Sequence, residues 1–189
     1  VNAVAVAVDG THPTLPPFNL FDLTDDQGAY DFVVPTGADF YIKPYRDDSP
    51  LNGVSTFDLL LINKHVLGLE LLPSAYKLVA ADANRSNTVT TFDIVELRKL
   101  LLGITQQLPN NSSWRFVDAR HIFPNQPNPL QGGFPDSVFI ADMQPWTPSM
   151  YDFVGVKVGD VNESADPGFA GQISEDRAAM TFTLDDALL

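Results

Sequence analysis

Asn2 to Val8 alternates strictly, valine on one side and alanine on the other, before an Asp9-Gly10 turn, and this predicts a strand with one larger and one smaller face. Phe18 to Leu23, Tyr30 to Val34 and Phe40 to Pro44 read as three more strands, the last two separated by Pro35-Thr36-Gly37-Ala38-Asp39. Four strands so close together imply an antiparallel sheet, thin for an independent sandwich. The pattern then changes period. Asn52-Gly53-Val54-Ser55-Thr56-Phe57-Asp58-Leu59 aligns with Asn87-Thr88-Val89-Thr90-Thr91-Phe92-Asp93-Ile94, and Leu67-Gly68 with Leu102-Gly103, each pair 35 residues apart. Each copy predicts a loop leading into a helix that starts near a threonine and stops at a glycine suited to a left-handed cap. In the second copy Phe92, Val95, Leu100 and Leu101, flanked by Ile94 and Leu97, predict a wide apolar face turned to the core.

Beyond Gly103 come Asn110-Asn111-Ser112-Ser113-Trp114 and a proline-rich tract from Pro124 to Pro135, with short strands predicted at Val138 to Ile140 and Phe153 to Val158. Trp114, Phe116, Phe123, Phe134, Phe139 and Trp146 need burial, so this region is expected to wrap the helix pair. Asp160 to Arg177 is linker-like, and Met180-Thr181-Phe182-Thr183-Leu184 alternates as a terminal strand. The expected fold is α+β. It comprises a partial β-sandwich-like segment over 1–46, a tandem loop-helix repeat over 47–104, an irregular β-rich extension over 105–165, and a linker with its strand over 166–189.

Charge narrows the partners. Twenty-four acidic against 11 basic residues leave −13, which argues against nucleic acid, where Lys and Arg must neutralise phosphates. No cysteine is present, so disulfides, thiolate metal sites and a thiol nucleophile are excluded. No run approaches the roughly 18 apolar residues of a membrane span, and the opening Val1 carries no signal-like pattern, as expected of a chain processed or excised from something longer.

The chemistry concentrates in Asp82 to Asp93. Asp82, Asn84, Ser86, Thr90 and Asp93 place side-chain oxygens at positions 1, 3, 5, 9 and 12 of a twelve-residue loop, and Thr88 at position 7 offers its carbonyl. This is EF-hand-type calcium spacing: a hard divalent ion takes six to eight oxygens, and the loop must aim alternate groups inward. Asn87 stands where glycine is usual and tolerates positive φ. A shift by 35 gives Asp47, Ser49, Gly53, Ser55 and Asp58 as a degenerate first loop, in which Leu51 offers no side-chain ligand. The expectation is one calcium ion, or two if a carbonyl or water replaces that ligand. Asp160-Val161-Asn162-Glu163-Ser164 has the 1, 3, 5 pattern but meets Gly171 at position 12, and reads as half a loop without a closing carboxylate.

Tandem loop-helix repeats with a closing aspartate, no incoming helix and a period in the thirties resemble a type I dockerin over Asp47 to Ile104. The flanks are similar to dockerin-containing segments of secreted or surface proteins of Bacteroidetes-type bacteria. The resemblance implies a calcium-dependent extracellular module that docks on a cohesin domain, with ligands at Asp82, Asn84, Ser86, Thr88 and Asp93, and at Asp47, Ser49, Gly53 and Asp58 in the degenerate copy. Positions 10 and 11, small and polar in that family where they meet cohesin, are Thr56-Phe57 and Thr91-Phe92 here. The phenylalanines are expected to pack inward, making the loop a clamp for helices and strands more than a docking surface.

An enzyme is not expected. His12, His65 and His121 are isolated, Asp118 near His121 has no accompanying nucleophile, and no metalloprotease, nucleophile-elbow or phosphate-loop motif occurs. The favoured expectation is a calcium-stabilised structural or assembly module, joined to copies of itself by strand exchange through Met180, Phe182 and Leu184. A cohesin-like partner, or an accessory role in a larger secreted enzyme or adhesin, are the alternatives. Asn110 and Asn111 each start a glycosylation sequon, and Asp136-Ser137-Val138 is similar to a Bacteroidetes O-glycosylation motif, although such triplets also arise by chance.

Overall fold

The computed structural model describes residues 1–144 and 150–168. Within them the chain is α+β, with three helices and two antiparallel sheets. Strands β1 (Ala5–Thr11), β2 (Phe18–Leu23) and β3 (Asp39–Tyr45) form an antiparallel sheet completed by β5 (Val138–Ile140), in the order β2-β1-β3-β5. Valines of β1 and Phe40 and Ile42 of β3 face the core, as the alternation requires. Phe40 pairs with Ile140, so the 105–165 extension supplies an edge of the first sheet.

Tyr30 to Val34 is not a strand, despite its alternation. Tyr30, Phe32 and Val34 pack on the sheet's core as extended chain, and the Tyr30 hydroxyl donates to the Tyr151 carbonyl. Burial first, then the Asp152 charge, push the Tyr30 pKa up to about 12. Between its ordinary value near 10 and this one, the unfolded chain gives up the proton first, so stability should fall as pH rises through that window. Tyr30→Phe should remove this share of the alkaline loss, read from urea midpoints against pH.

Helices α1 (Thr56–Val66) and α3 (Thr91–Leu101) are the repeated pair and pack on each other. Each begins in a capping box, Ser55 with Asp58 and Thr90 with Asp93. Each ends at a left-handed glycine, Gly68 and Gly103, where the following amide reaches back to the Lys64 or Lys99 carbonyl. Between them α2 (Ala75–Ala81), capped by Ser74, runs directly into Asp82. The second loop therefore has an incoming helix, contrary to the expectation, because Leu78 to Ala81 bury the segment's last turn on nearly every side.

The buried face of α3 is Ile94, Leu97 and Leu100. Phe92 and Val95 lie outside it, and the inward packing expected of the phenylalanines is overturned: Phe57 is 53% and Phe92 71% exposed.

Strand β4 (Trp114–Asp118) pairs with β6 (Phe153–Lys157) as a two-stranded ribbon between two cores. Its alternation sends Trp114 and Phe116 into the strand core and Val117 into the helix core. Phe123 and Phe134 pack against the helix core, whereas Phe139 is exposed. Trp146 and the terminal strand with Met180, Phe182 and Leu184 lie outside the described residues. Among the described residues no helix is long and apolar enough to cross a membrane.

Candidate metal centre

The loop from Asp82 to Asp93 is shaped by its own carboxylates. Asp82 caps α2 and accepts at Oδ1 from the Ser86 amide (2.8 Å) and at Oδ2 from the Asn87 amide (2.9 Å). Asn84 Oδ1 accepts from the same Ser86 amide at 3.0 Å. Asp93 Oδ1 accepts from the Asn84 amide (3.1 Å) and Oδ2 from the Thr90 amide (2.8 Å), so the closing carboxylate ties the loop to the first turn of α3. Ser86 Oγ lies 3.1 Å from the Thr88 carbonyl and 3.4 Å from Asp82 Oδ1. Oxygens of positions 1, 5 and 7 are thus neighbours.

Asn87 takes the positive φ expected of it (+60°), and Arg85 does too. The 105–165 extension buttresses the loop: the Asn111 amide donates to the Asp82 and Ala83 carbonyls, and the Asn128 amide to the Asn87 carbonyl. Asn111 is therefore engaged in holding the loop.

The two carboxylates of the loop are withdrawn from water. Asp82 and Asp93 are both fully buried. Burial raises the Asp93 pKa, with the Thr90 and Asn84 amides opposing and the Asp82 charge adding to the rise. The loop therefore crowds negative charge that would rather be neutralised. Arg115, from β4, brings a guanidinium nitrogen to 3.6 Å from Asp82 Oδ2, a partial compensation. Among the described residues no group of three or more His, Cys, Asp or Glu gathers in one place. The loop offers two carboxylates together with amide, hydroxyl and carbonyl oxygens, a set suited to a hard ion and unsuited to a soft one.

The first loop is built differently from the expected run. Gly53, Ser55 and Asp58 occupy the same places as Thr88, Thr90 and Asp93, but Asp47 and Ser49 do not stand in for Asp82 and Asn84. Asp47 Oδ1 instead accepts from the Ser113 amide at 2.8 Å and Oδ2 meets the Tyr45 hydroxyl at 3.4 Å, while Ser49 sits at a positive φ turn whose carbonyl takes the Asn52 amide. Asp48 pairs with Arg46.

The missing half is Asp160-Val161-Asn162-Glu163-Ser164. Asp160 Oδ1 accepts from the Ser164 amide (3.0 Å) and Oδ2 from the Ala165 amide (2.8 Å), and Asn162 Oδ1 accepts from the Ser164 amide (3.0 Å). Ser164 Oγ donates to the Gly53 carbonyl (3.0 Å), and Asp58 Oδ1 accepts from the Val161 and Asn162 amides (3.0 and 3.1 Å). Asp58 Oδ2 accepts from the Ser55 amide at 2.9 Å. Apart from the Val161 amide, whose counterpart Ala83 donates to the Ala81 carbonyl instead, each of these bonds repeats one of the continuous loop, and Glu163 takes the left-handed turn that Arg85 takes there. Its closing carboxylate was absent from the downstream sequence because it lies upstream, 103 residues from Val161.

Two of the histidines, His12 and His65, serve turns. His12 Nδ1 accepts the Thr14 and Leu15 amides, His65 Nδ1 accepts the Leu72 amide, and the His121 ring meets the edge of Phe123. Comparison with family models, with curated proteins and with solved structures found no match.

Proposed function

We propose that the chain is a non-catalytic, calcium-stabilised structural or assembly module of the bacterial cell exterior. The observation that carries this reading is the loop Asp82–Asp93, in which two fully buried carboxylates and the neighbouring Ser86 and Thr88 oxygens are held in one short loop at the start of α3. Two formal charges suit an affinity of roughly 10⁻⁴ to 10⁻³ M, the range of extracellular modules. Titration of chelator-stripped protein with calcium chloride tests it: saturable uptake in that range is expected, and no bound ion at millimolar calcium would overturn the reading.

Assembly has two routes. The alternating Met180, Phe182 and Leu184 would add as a strand to another copy, and an acceptor is present in β2, an outer strand of the four-stranded sheet. A purified sample that stays monomeric at all concentrations would count against this route.

The second route is docking on a cohesin-like domain, favoured by a specific observation. Phe57 and Phe92 stand exposed at equivalent places on α1 and α3, followed by Leu60 and Val95 and then Leu67 and Leu102, all exposed. Large apolar side chains repeated along two packed helices fit a partner surface better than water. Under this reading a matching cohesin binds with nanomolar affinity. The double substitution Phe57→Ser with Phe92→Ser should weaken that binding about 100-fold or more, with little change in melting temperature. Surface plasmon resonance would show it, and unaltered binding by the double variant would remove this route.

A further inference from the structure

We infer that Asp160, Asn162, Ser164, the Gly53 carbonyl, Ser55 and Asp58 form a second calcium site, assembled from two stretches of chain far apart in sequence. The inference rests on the reading of Asp82–Asp93 as a calcium loop and extends it to a place where no continuous motif exists. The ligand set is the same kind: a carboxylate at each end of the loop and amide, hydroxyl and carbonyl oxygens between.

An observation separate from the loop's shape points to a cation. Asp58 is fully buried and Asp160 is 5% exposed, and among the described residues neither is in an ion pair. Lys157 feels the Asp160 charge, yet its ammonium is held by the Pro50 and Val158 carbonyls. Asp58, withdrawn from water among N–H and hydroxyl donors alone, carries a desolvation cost that these neutral groups offset only in part, and a divalent ion would supply the missing charge. In the continuous loop Arg115 stands 3.6 Å from Asp82, whereas the ion pair at the split loop, Lys77 with Glu163 at 3.5 Å, leaves both end carboxylates out.

The backbone is committed to the junction as well. Gly53 has φ +74°, and a Cβ there would stand 2.5 Å from the Ala165 nitrogen, so only glycine lets the two strands of the site meet. Asn52 and Asp166 then exchange two hydrogen bonds, and Arg46 donates to both the Asn2 and Pro167 carbonyls. A cation in the split site would therefore staple the segment after β6 to the start of α1 and, through Arg46, to the chain entering β1. The continuous loop closes on itself, whereas this one closes the chain.

Calorimetric titration of the chelator-stripped full chain with calcium chloride, read together with native mass spectrometry, tests the site. The parent chain should take two ions. Asp160→Asn and the milder Asn162→Ala, each checked for parent-like circular dichroism, should take one, and Asp47→Asn should still take two. Asp82→Asn should also take one, and the remaining ion should vanish when Asp160→Asn is added. A parent chain that takes a single ion, lost in Asp82→Asn and kept in both Asp160→Asn and Asn162→Ala, would overturn the split site and leave the continuous loop standing. A single ion lost only in the Asp160 and Asn162 variants would do the reverse. No ion in the parent, or an ion lost with Asp47→Asn and kept in the other two, would overturn the split site.

Discussion

Chelation of calcium should lower the melting temperature of this protein by roughly 5–10 °C for each site emptied. An ion at about 100 times its dissociation constant adds about 2.7 kcal/mol to the folded state, and in a chain of this size each kcal/mol moves the midpoint by roughly 2–4 °C. The effect should depend on pH. In the ion-free loop the Asp93 pKa is raised, chiefly by burial, so the fold favours its neutral form, and ion-free stability falls as pH rises through the ordinary carboxylate range toward that raised value. Calcium binds the ionised form. The difference between loaded and stripped protein should therefore be small in acid and reach its full size above that window. Differential scanning calorimetry at a series of pH values, with excess calcium and with chelator, measures both curves. An identical melt under the two conditions at neutral pH would contradict the calcium reading.

Leu97→Ala should cost about 2–5 kcal/mol. Leu97 is fully buried on α3, in the helix core with Ile62, Leu100 and Val158. Its side chain also lies against Gly159, where an added Cβ would stand 2.7 Å from Leu97 Cδ2. The residue that leads the chain from β6 into the split loop thus rests on the helix that closes the continuous one. Truncation leaves a cavity at this junction, which the left-handed turn at Gly159 (φ +89°) gives little freedom to fill. Urea denaturation should show a lower midpoint with an unchanged slope. Phe92→Ala, on the same helix but exposed, should stay within about 0.5 kcal/mol of the parent.

The contrast between those two side chains marks where pattern reading succeeds. Strands β2, β3, β5 and β6 follow from alternation and turn residues, and α1 and α3 from the repeat, with glycine ends where left-handed caps were expected; β1 follows from alternation alone, since it runs to Thr11 through the Asp9-Gly10 pair expected to be its turn, pairing them with Asn19 and Phe18. Tyr30 to Val34 has the right alternation for a strand but covers the sheet's core without joining a ladder, and alternation alone cannot distinguish these. Phe57 and Phe92 depart from the expected inward packing for a related reason. An apolar residue is expected inside, yet α3 buries Ile94, Leu97 and Leu100, leaving Phe92, two residues before Ile94 and so about 200° around the helix, on the open side.

In the candidate site, the continuous loop was legible because all its oxygens fall within twelve residues. The split loop was not, because a search along the chain demands a contiguous motif. Its two halves were both visible in the sequence, one without a first carboxylate and one without a last. The signal that joins them is their complementarity: each half supplies what the other lacks, at the matching positions of the repeat.

The position of β4 determines how the molecule should come apart. Trp114 and Phe116 belong to one core and Val117 to the other, so neither core can open without exposing a strand that the other needs. Residue-by-residue alternation in a five-residue strand thereby makes two hydrophobic clusters one thermodynamic unit. The helical repeats and the N-terminal sheet should lose their structure in a single cooperative transition, with calorimetric and van't Hoff enthalpies in agreement.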